Sequence, residues 1–219
     1  LTADPLAYWL GLATPNPQGV LIVGAHRWAR KIAAVLQLED YAVRLVDTNA
    51  NRVQQARAEN LDAVQLDILS ESDVEHLNLE GMGHMLALTS NDEVNSLSIL
   101  HCLELFDRSE VYQLTPYRYL QDEQEKAIPK HLRGRLLFDE PVTFRDLENR
   151  FEREASLQTI TLTEEYTFEA FADEYGDQAI PMFLIAPSGP LYIFNTSSSL
   201  DPKPGQKIIA LVSSVAPSP

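Results

Sequence analysis

From Val20 to Val23 the chain is an unbroken run of buried-strand residues; it breaks at Gly24 and passes directly into a helical pattern that starts at Arg27. A second apolar run, Ala42 to Val46, ends in Asp47. Strand, glycine turn, helix and strand in this order make a βαβ unit, whose two strands lie parallel and whose crossover is right-handed. The chemistry of its ends is equally constrained. Gly24 allows a tight turn, the helix N-terminus offers free N–H groups and the positive end of a dipole to phosphate, and an acidic side chain such as Asp47 suits ribose hydroxyls. In the G-x-G-x-x-G frame the second glycine is replaced by His26 and the third by Ala29. Alanine still lets helix and strand pack closely, whereas a side chain at the second place obstructs the backbone approach to a pyrophosphate. The unit therefore reads as a nucleotide seat altered away from the dehydrogenase pattern.

The alternation continues along the chain. Strands are expected at 20–24, 42–47, 63–66, 84–89 and 110–114, with helices at about 27–38, 50–58, 71–76 and 92–106 between them. This pattern predicts an α/β fold, a Rossmann-like doubly wound parallel sheet. Before it, Asp4-Pro5 begins a short opening helix over 4–12, and Thr14 to Gly19 reads as a connector. After Pro116 comes a polar helical stretch to Ala127 and an apolar strand at 135–138. Residues 139–177 hold twelve Asp and Glu against three Arg, which marks a solvated surface around a helix over 143–154. Three β patterns close the chain at 179–186, 190–195 and 207–213, with turns at Pro187 to Pro190 and Asp201 to Gly205. The expected organisation is an opening helix and connector (1–18), a Rossmann-like domain (19–138) and a small α+β module (139–219).

Candidate site residues fall at the carboxyl ends of the predicted strands, where open α/β sheets bind ligands. Gly24, His26 and Arg27 form the first turn, with His26 or Arg27 as a basic complement to the helix end. Asp47 closes the second strand, Asp67 the third and Thr89 the fourth, and Asn91 opens the following helix. Asn95, one turn on, faces the same way as Asn91. The helix from Asp92 to Phe106 is apolar around most of its circumference, which calls for burial on two sides, against the sheet and against another subunit or domain. Cys102 within it is expected in the core.

Other chemistries are not supported. The formal net charge of -15 and pI near 4.6 make nucleic acid a poor partner. The five histidines are scattered without ligand spacing and there is one cysteine, so neither a metal site nor a disulfide is expected. Neither a P-loop nor a G-x-S-x-G elbow occurs, and there is no acid/base cluster to make a catalytic site. The longest apolar runs are far shorter than the ~18 residues that span a bilayer.

Together, Gly24 to Ala29, Leu45 to Asn49, Gln65 to Asp67 and above all the Thr-x-Asn-Asp-x-x-Asn segment from Thr89 to Asn95 resemble the regulator-of-potassium-conductance (RCK, Trk-type) nucleotide-binding domain. The stretch Pro202 to Leu211 is similar to the last strand of that family's smaller module. Trp9 to Ala13 and Pro15 to Gly19 are similar to the junction between membrane and cytosolic domains of bacterial monovalent cation:proton antiporters. The resemblance implies a non-enzymatic regulatory domain that binds an adenine nucleotide, AMP, ADP or ATP in preference to NAD given His26, and controls transport. By position, Gly24, His26 and Arg27 would meet phosphate, Asp47 the ribose, Asp67 and Ile68 the adenine, and Thr89 and Asn91 the remainder. It further implies a homodimer attached to the membrane domain of the same polypeptide, at the cytoplasmic face of the inner membrane. An NAD(P)-dependent oxidoreductase and a structural dimerisation module with a vestigial site are the competing readings.

Overall fold

The computed structural model describes residues 17–117, 133–138, 140–197 and 199–213. The predicted helix over 4–12 and the helical stretch running to Ala127 lie outside them. In the described part, β1 (Gly19–Val23), α1 (Arg27–Leu38), β2 (Val43–Asp47), α2 (Ala50–Ala58), β3 (Asp62–Gln65), α3 (Glu71–Glu75), β4 (Met82–Ala87), α4 (Asp92–Cys102), β5 (Val111–Leu114) and β6 (Arg135–Leu137) follow one another. The strands form one sheet in the order β3-β2-β1-β4-β5-β6, and every neighbouring pair is parallel. This is the Rossmann-like arrangement expected.

Both faces of the sheet are covered, which is why β1 reads as a continuous apolar run and not as an alternation. Val20 and Ile22 pack with Trp28, Ile32 and Leu36 of α1 and with Val53 of α2. Leu21 and Val23 face the other way, toward Val74 of α3 and Ile99 and Cys102 of α4. Chain order reverses between β1 and β4, so the crevice of the sheet opens there, at the carboxyl ends of the strands.

The rest of the chain adds α5 (Phe144–Glu152), β7 (Ser156–Thr161), α6 (Phe168–Tyr175), β8 (Ala179–Ile185), β9 (Leu191–Ile193) and β10 (Lys207–Val212). Its four strands form a separate sheet in the order β7-β10-β8-β9, antiparallel throughout. Thr143 closes a capping box with Asp146 at the start of α5, which satisfies two of the N–H groups a helix start leaves open. Reading the acidic stretch as solvated surface overlooks β7 and α6. In β7 only Leu157 and Ile160 are partly covered, so the strand carries no run of apolar residues, and α6 buries mainly Phe171.

The two sheets share one apolar core. Residues of β8 and β10 pack in the same cluster as those of β1, α1 and α2, with Phe183 edge-to-face on Phe138, ring centroids 6.1 Å apart. Polar ties reinforce the junction: the Tyr41 hydroxyl donates to the Gly189 carbonyl at 2.9 Å, Lys207 Nζ meets Glu39 Oε2 at 2.6 Å, and Leu191 N–H donates to Gln18 Oε1 at 2.6 Å.

The helix expected over 92–106 ends at Cys102, and its two apolar sides have unequal fates. The side toward the sheet is mostly small and polar, with Asn95, Ser96 and Ser98 buried beside Ile99 and Cys102. Ser98 Oγ returns its proton to the Val94 carbonyl at 2.7 Å, which lets a hydroxyl sit in the interior. The leucines lie outward: Leu97 is 50% and Leu105 49% exposed. Cys102 is buried as expected, and burial pushes its thiol up to about 12.

Candidate functional site

Four of the strand ends singled out in the sequence surround the crevice. Gly24 adopts φ +112°, a conformation that side chains rarely tolerate, and its N–H donates to the Val46 carbonyl at 2.8 Å. The next N–H, of Ala25, donates to Asp47 Oδ2 at 2.8 Å. Asp47 Oδ1 accepts from Asn49 N–H at 2.8 Å, and Arg52 Nη1 lies 3.4 Å from Oδ2, with the Asp47 side chain only 7% exposed. Asp47 is thus the strut that shapes the glycine turn as well as the acid at the end of β2. That dual use follows from the register, in which Val23 and Val46 are paired at the strand ends.

His26 is the N-cap of α1. Its Nδ1 accepts from Ala29 N–H at 3.4 Å, and its Nε2 donates to the Leu88 carbonyl at 2.7 Å. The two bonds together require the neutral tautomer with its proton on Nε2. The ring also packs on Trp28, centroids 4.1 Å apart, and on Phe144 at 5.0 Å. Burial, opposed by the bond to Leu88, lowers its pKa to about 4. The imidazole is therefore not the basic phosphate partner that the sequence suggested; it is a neutral plug in the first turn. Arg27 is exposed, and its Nη2 donates to the Phe151 carbonyl at the end of α5, 3.3 Å away.

Because the folded state holds His26 near 4 while an unfolded histidine titrates near 6.5, the unfolded chain takes up the extra proton between those values. The contribution is intact above pH 6.5 and is lost as pH falls toward 4. Denaturant titrations are expected to show roughly 2–3 kcal/mol of this loss, and His26→Asn, which keeps a capping side chain but does not titrate, is expected to remove that part of the pH dependence.

On the far side of the crevice, Thr89 is held by Asn95. Thr89 N–H and Oγ1 donate to Asn95 Oδ1 at 2.9 and 2.7 Å, and Asn95 Nδ2 donates to the Thr89 carbonyl at 2.9 Å. Asn91 caps α4 by accepting from the Glu93 and Val94 N–H groups. The two side chains act apart: Asn95 clamps Thr89, while Asn91 meets Thr89 Oγ1 only through its backbone. Asp67 is exposed and accepts from Leu69 N–H at 3.0 Å. Ile68 is buried in the core with Val23 and Val46, which leaves only its backbone for an adenine.

The aromatic cover over α1 was not read from the sequence. Trp28 stacks on Phe151 with centroids 6.0 Å apart and approaches Phe144 at 5.3 Å. Its indole Nε1 is buried with no hydrogen-bond partner among the described residues. Phe144 and Phe151 lie seven apart, on one face of α5, but nothing in that spacing names the helix on which they pack.

Among the described residues no group of three His, Cys, Asp or Glu side chains could hold a metal ion, and no helix is long and apolar enough to cross a membrane.

The family model of the TrkA-N domain matches residues 20–127. No curated protein matches the chain. Among solved structures, the chain is similar to the NAD(P)-binding domain of an exopolyphosphatase-related protein from Archaeoglobus fulgidus, at 18% identity and TM-score 0.45, over 63% of this chain and 96% of that one. It is similar to the TrkA-N domain of the inner membrane protein ybaL from Escherichia coli, at 17% identity and TM-score 0.42, over 48% and 78%. It is also similar to the RCK domain of GsuK, at 15% identity and TM-score 0.45, over 97% of this chain but only 48% of that one. Residues 20–127, which hold the glycine turn and the Thr89 to Asn95 segment, are thus the part of this chain that matches the TrkA-N domain family.

Proposed function

We propose that the chain is a nucleotide-sensing regulatory domain of a monovalent cation:proton antiporter, at the cytoplasmic face of the inner membrane and joined to that transporter's membrane domain. The observation that carries the reading is the gathering, at the switch point of a TrkA-N sheet, of the Gly24 turn, the α1 N-terminus, Asp47 and the clamped Thr89. In it the phosphate of an adenine nucleotide meets Gly24, His26 and Arg27, and the ribose meets Asp47. Asp67 and the Ile68 backbone take the base, with Thr89 and Asn91 on the remaining wall. The neutral His26 ring against the Leu88 carbonyl crowds the second half of a dinucleotide, which favours AMP, ADP or ATP over NAD. Calorimetric titration with AMP, ADP, ATP and NADH tests this. Saturable binding with a mononucleotide at least tenfold tighter is expected; tighter NADH binding overturns the preference. Ligands recovered unchanged after prolonged incubation are expected of a regulator, and product in excess of protein would point to an enzyme.

The internal bonds of His26 and Asp47 favour one other reading, a dimerisation module whose nucleotide site is vestigial. Absence of saturable binding by all four ligands would support it.

Both readings include a homodimer through the outward side of α4, where Leu97 and Leu105 are half exposed and Leu100 and Val74 border the same hollow. A symmetric contact would cover this patch on each copy at once. Light scattering is expected to give twice the monomer mass for the wild type and the monomer mass for Leu97→Glu. A monomer in both cases removes the dimer.

A further inference from the structure

Four strands stand at the edges of the two sheets, β3 and β6 in the parallel one and β7 and β9 in the antiparallel one. An edge leaves a row of backbone N–H and C=O groups unpaired, and proteins blunt it by keeping the strand short or by charging it. β6 and β9 have three residues each, and β3 has four and carries Asp62, paired with Arg44. β7 has neither protection. It runs for six residues, and from Ala155 to Thr163 the sequence holds no charge, proline or glycine, whereas Thr159, Ile160, Thr161 and Thr163 are β-branched.

Two bonds decide which backbone groups of β7 face outward. Leu162 donates its N–H to the Gln206 carbonyl at 2.8 Å, and just past the far end of β10 Ser213 donates away from β7, to the Gln178 carbonyl at 2.9 Å. Between these points the register is unbroken, from Thr161 opposite Lys207 to Ser156 opposite Val212. With the strand period of two, Ser156, Gln158 and Ile160 bond toward β10, whereas Leu157, Thr159 and Thr161 turn their N–H and C=O groups to the open side. None of these three N–H groups has a hydrogen-bond partner among the described residues, and Thr159 and Thr161 are exposed.

Both ends of the edge are acidic: Glu152 and Glu154 precede β7, Glu164 and Glu165 follow it, and all four are exposed. The cations beside them are engaged elsewhere. Arg150 donates to the Asp177 and Gln178 carbonyls, Arg153 borders a hollow with Glu140, Asp146 and Asp177, and Lys207 on β10 meets Glu39.

We propose that the open edge of β7 is a docking site for a partner protein, which adds an extended, β-branched segment flanked by Lys and Arg as a fifth, antiparallel strand. Bonds to the backbone of Leu157, Thr159 and Thr161 supply affinity, and the glutamates at either end select basic flanks. Neither the nucleotide nor the antiporter reading is needed for it. The probes are a capped peptide, Lys-Arg-Thr-Val-Thr-Val-Thr-Arg-Lys, and its counterpart with Glu in place of every Lys and Arg. Calorimetry on the 219-residue chain is paired with NMR of its backbone amides.

The expected result is saturable binding of the basic peptide, weaker as salt rises, with shifts centred on the Leu157, Thr159 and Thr161 amides. Thr159→Pro removes an outward N–H and leaves the bonds to β10 in place, so it is expected to weaken binding at least tenfold with the circular dichroism unchanged. If Thr159→Pro does not fold, Thr159→Lys, which sets a like charge against the peptide, is expected to give the same loss and decides alone. Non-saturating heats, equal binding of the acidic peptide, or an affinity that the Thr159 variant leaves unchanged overturn the proposal. Self-association of the Leu97→Glu chain that Thr159→Pro abolishes would assign the edge to a second copy and overturn it equally.

Discussion

Phe183→Ala is expected to destabilise the chain by about 3–5 kcal/mol, the cost of removing a buried aromatic ring and leaving a cavity where the surroundings cannot collapse. The side chain is fully buried and stands on β8, in the cluster that also holds Ile22 of β1 and Ile32 of α1. Its loss therefore acts on both sheets. Chemical denaturation followed by tryptophan fluorescence in a Trp9→Phe background, where it reports on Trp28 beside α5, and by far-ultraviolet circular dichroism is expected to give coincident transitions with and without Phe183→Ala, both moved to lower denaturant by the substitution. Separation of the two probes in the variant, with the Trp28 signal unmoved, would mean that the antiparallel sheet unfolds by itself and that the shared core carries little energy between them.

Asp47→Ala is expected to cost roughly 2–3 kcal/mol through loss of charge-assisted bonds and an unpaired Ala25 N–H in the interior. The same change is expected to weaken nucleotide binding by about 1–3 kcal/mol, as one ribose partner disappears. The two effects separate in Asp47→Asn, whose carbonyl still accepts one of the bonds but whose amide opposes an N–H at the other oxygen. Denaturant titration and calorimetry on both variants are the measurements. Stability unchanged in Asp47→Ala would contradict the strut role, and nucleotide affinity unchanged in a folded Asp47→Ala would take Asp47 out of the ligand site.

The parallel sheet was legible because each of its signals is local. A fully apolar strand such as β1, a glycine at its end and a helix of regular apolar spacing such as α1 can all be read in one window. The antiparallel sheet was harder. β8 and β10 are apolar and bounded by proline and glycine turns, whereas β7 is an edge strand with four of its six residues exposed, so its pairing with β10 decides its conformation. In the site, Asp47 and the Thr89 to Asn95 segment could be found by position. The state of His26 could not, because its neutrality comes from burial, to which Phe144, far along the chain, contributes by packing on the ring. His84 and Glu110 belong to the same class: an ordinary strand histidine and an ordinary surface acid become a pair only when β4 and the segment before β5 are brought side by side.

The cap that His26 places on α1 has a consequence for dose. A helix end that already holds one of its own side chains carries a tethered competitor, present at every ligand concentration. A phosphate group that needs this end free binds only the fraction of molecules whose imidazole has swung away, and its apparent affinity falls by that fraction. If the cap is worth about 1.4 kcal/mol, roughly one molecule in ten is open and the half-saturating concentration rises about tenfold. The histidine in the second glycine position then sets the level at which the crevice begins to respond, and a smaller residue there would move that level down.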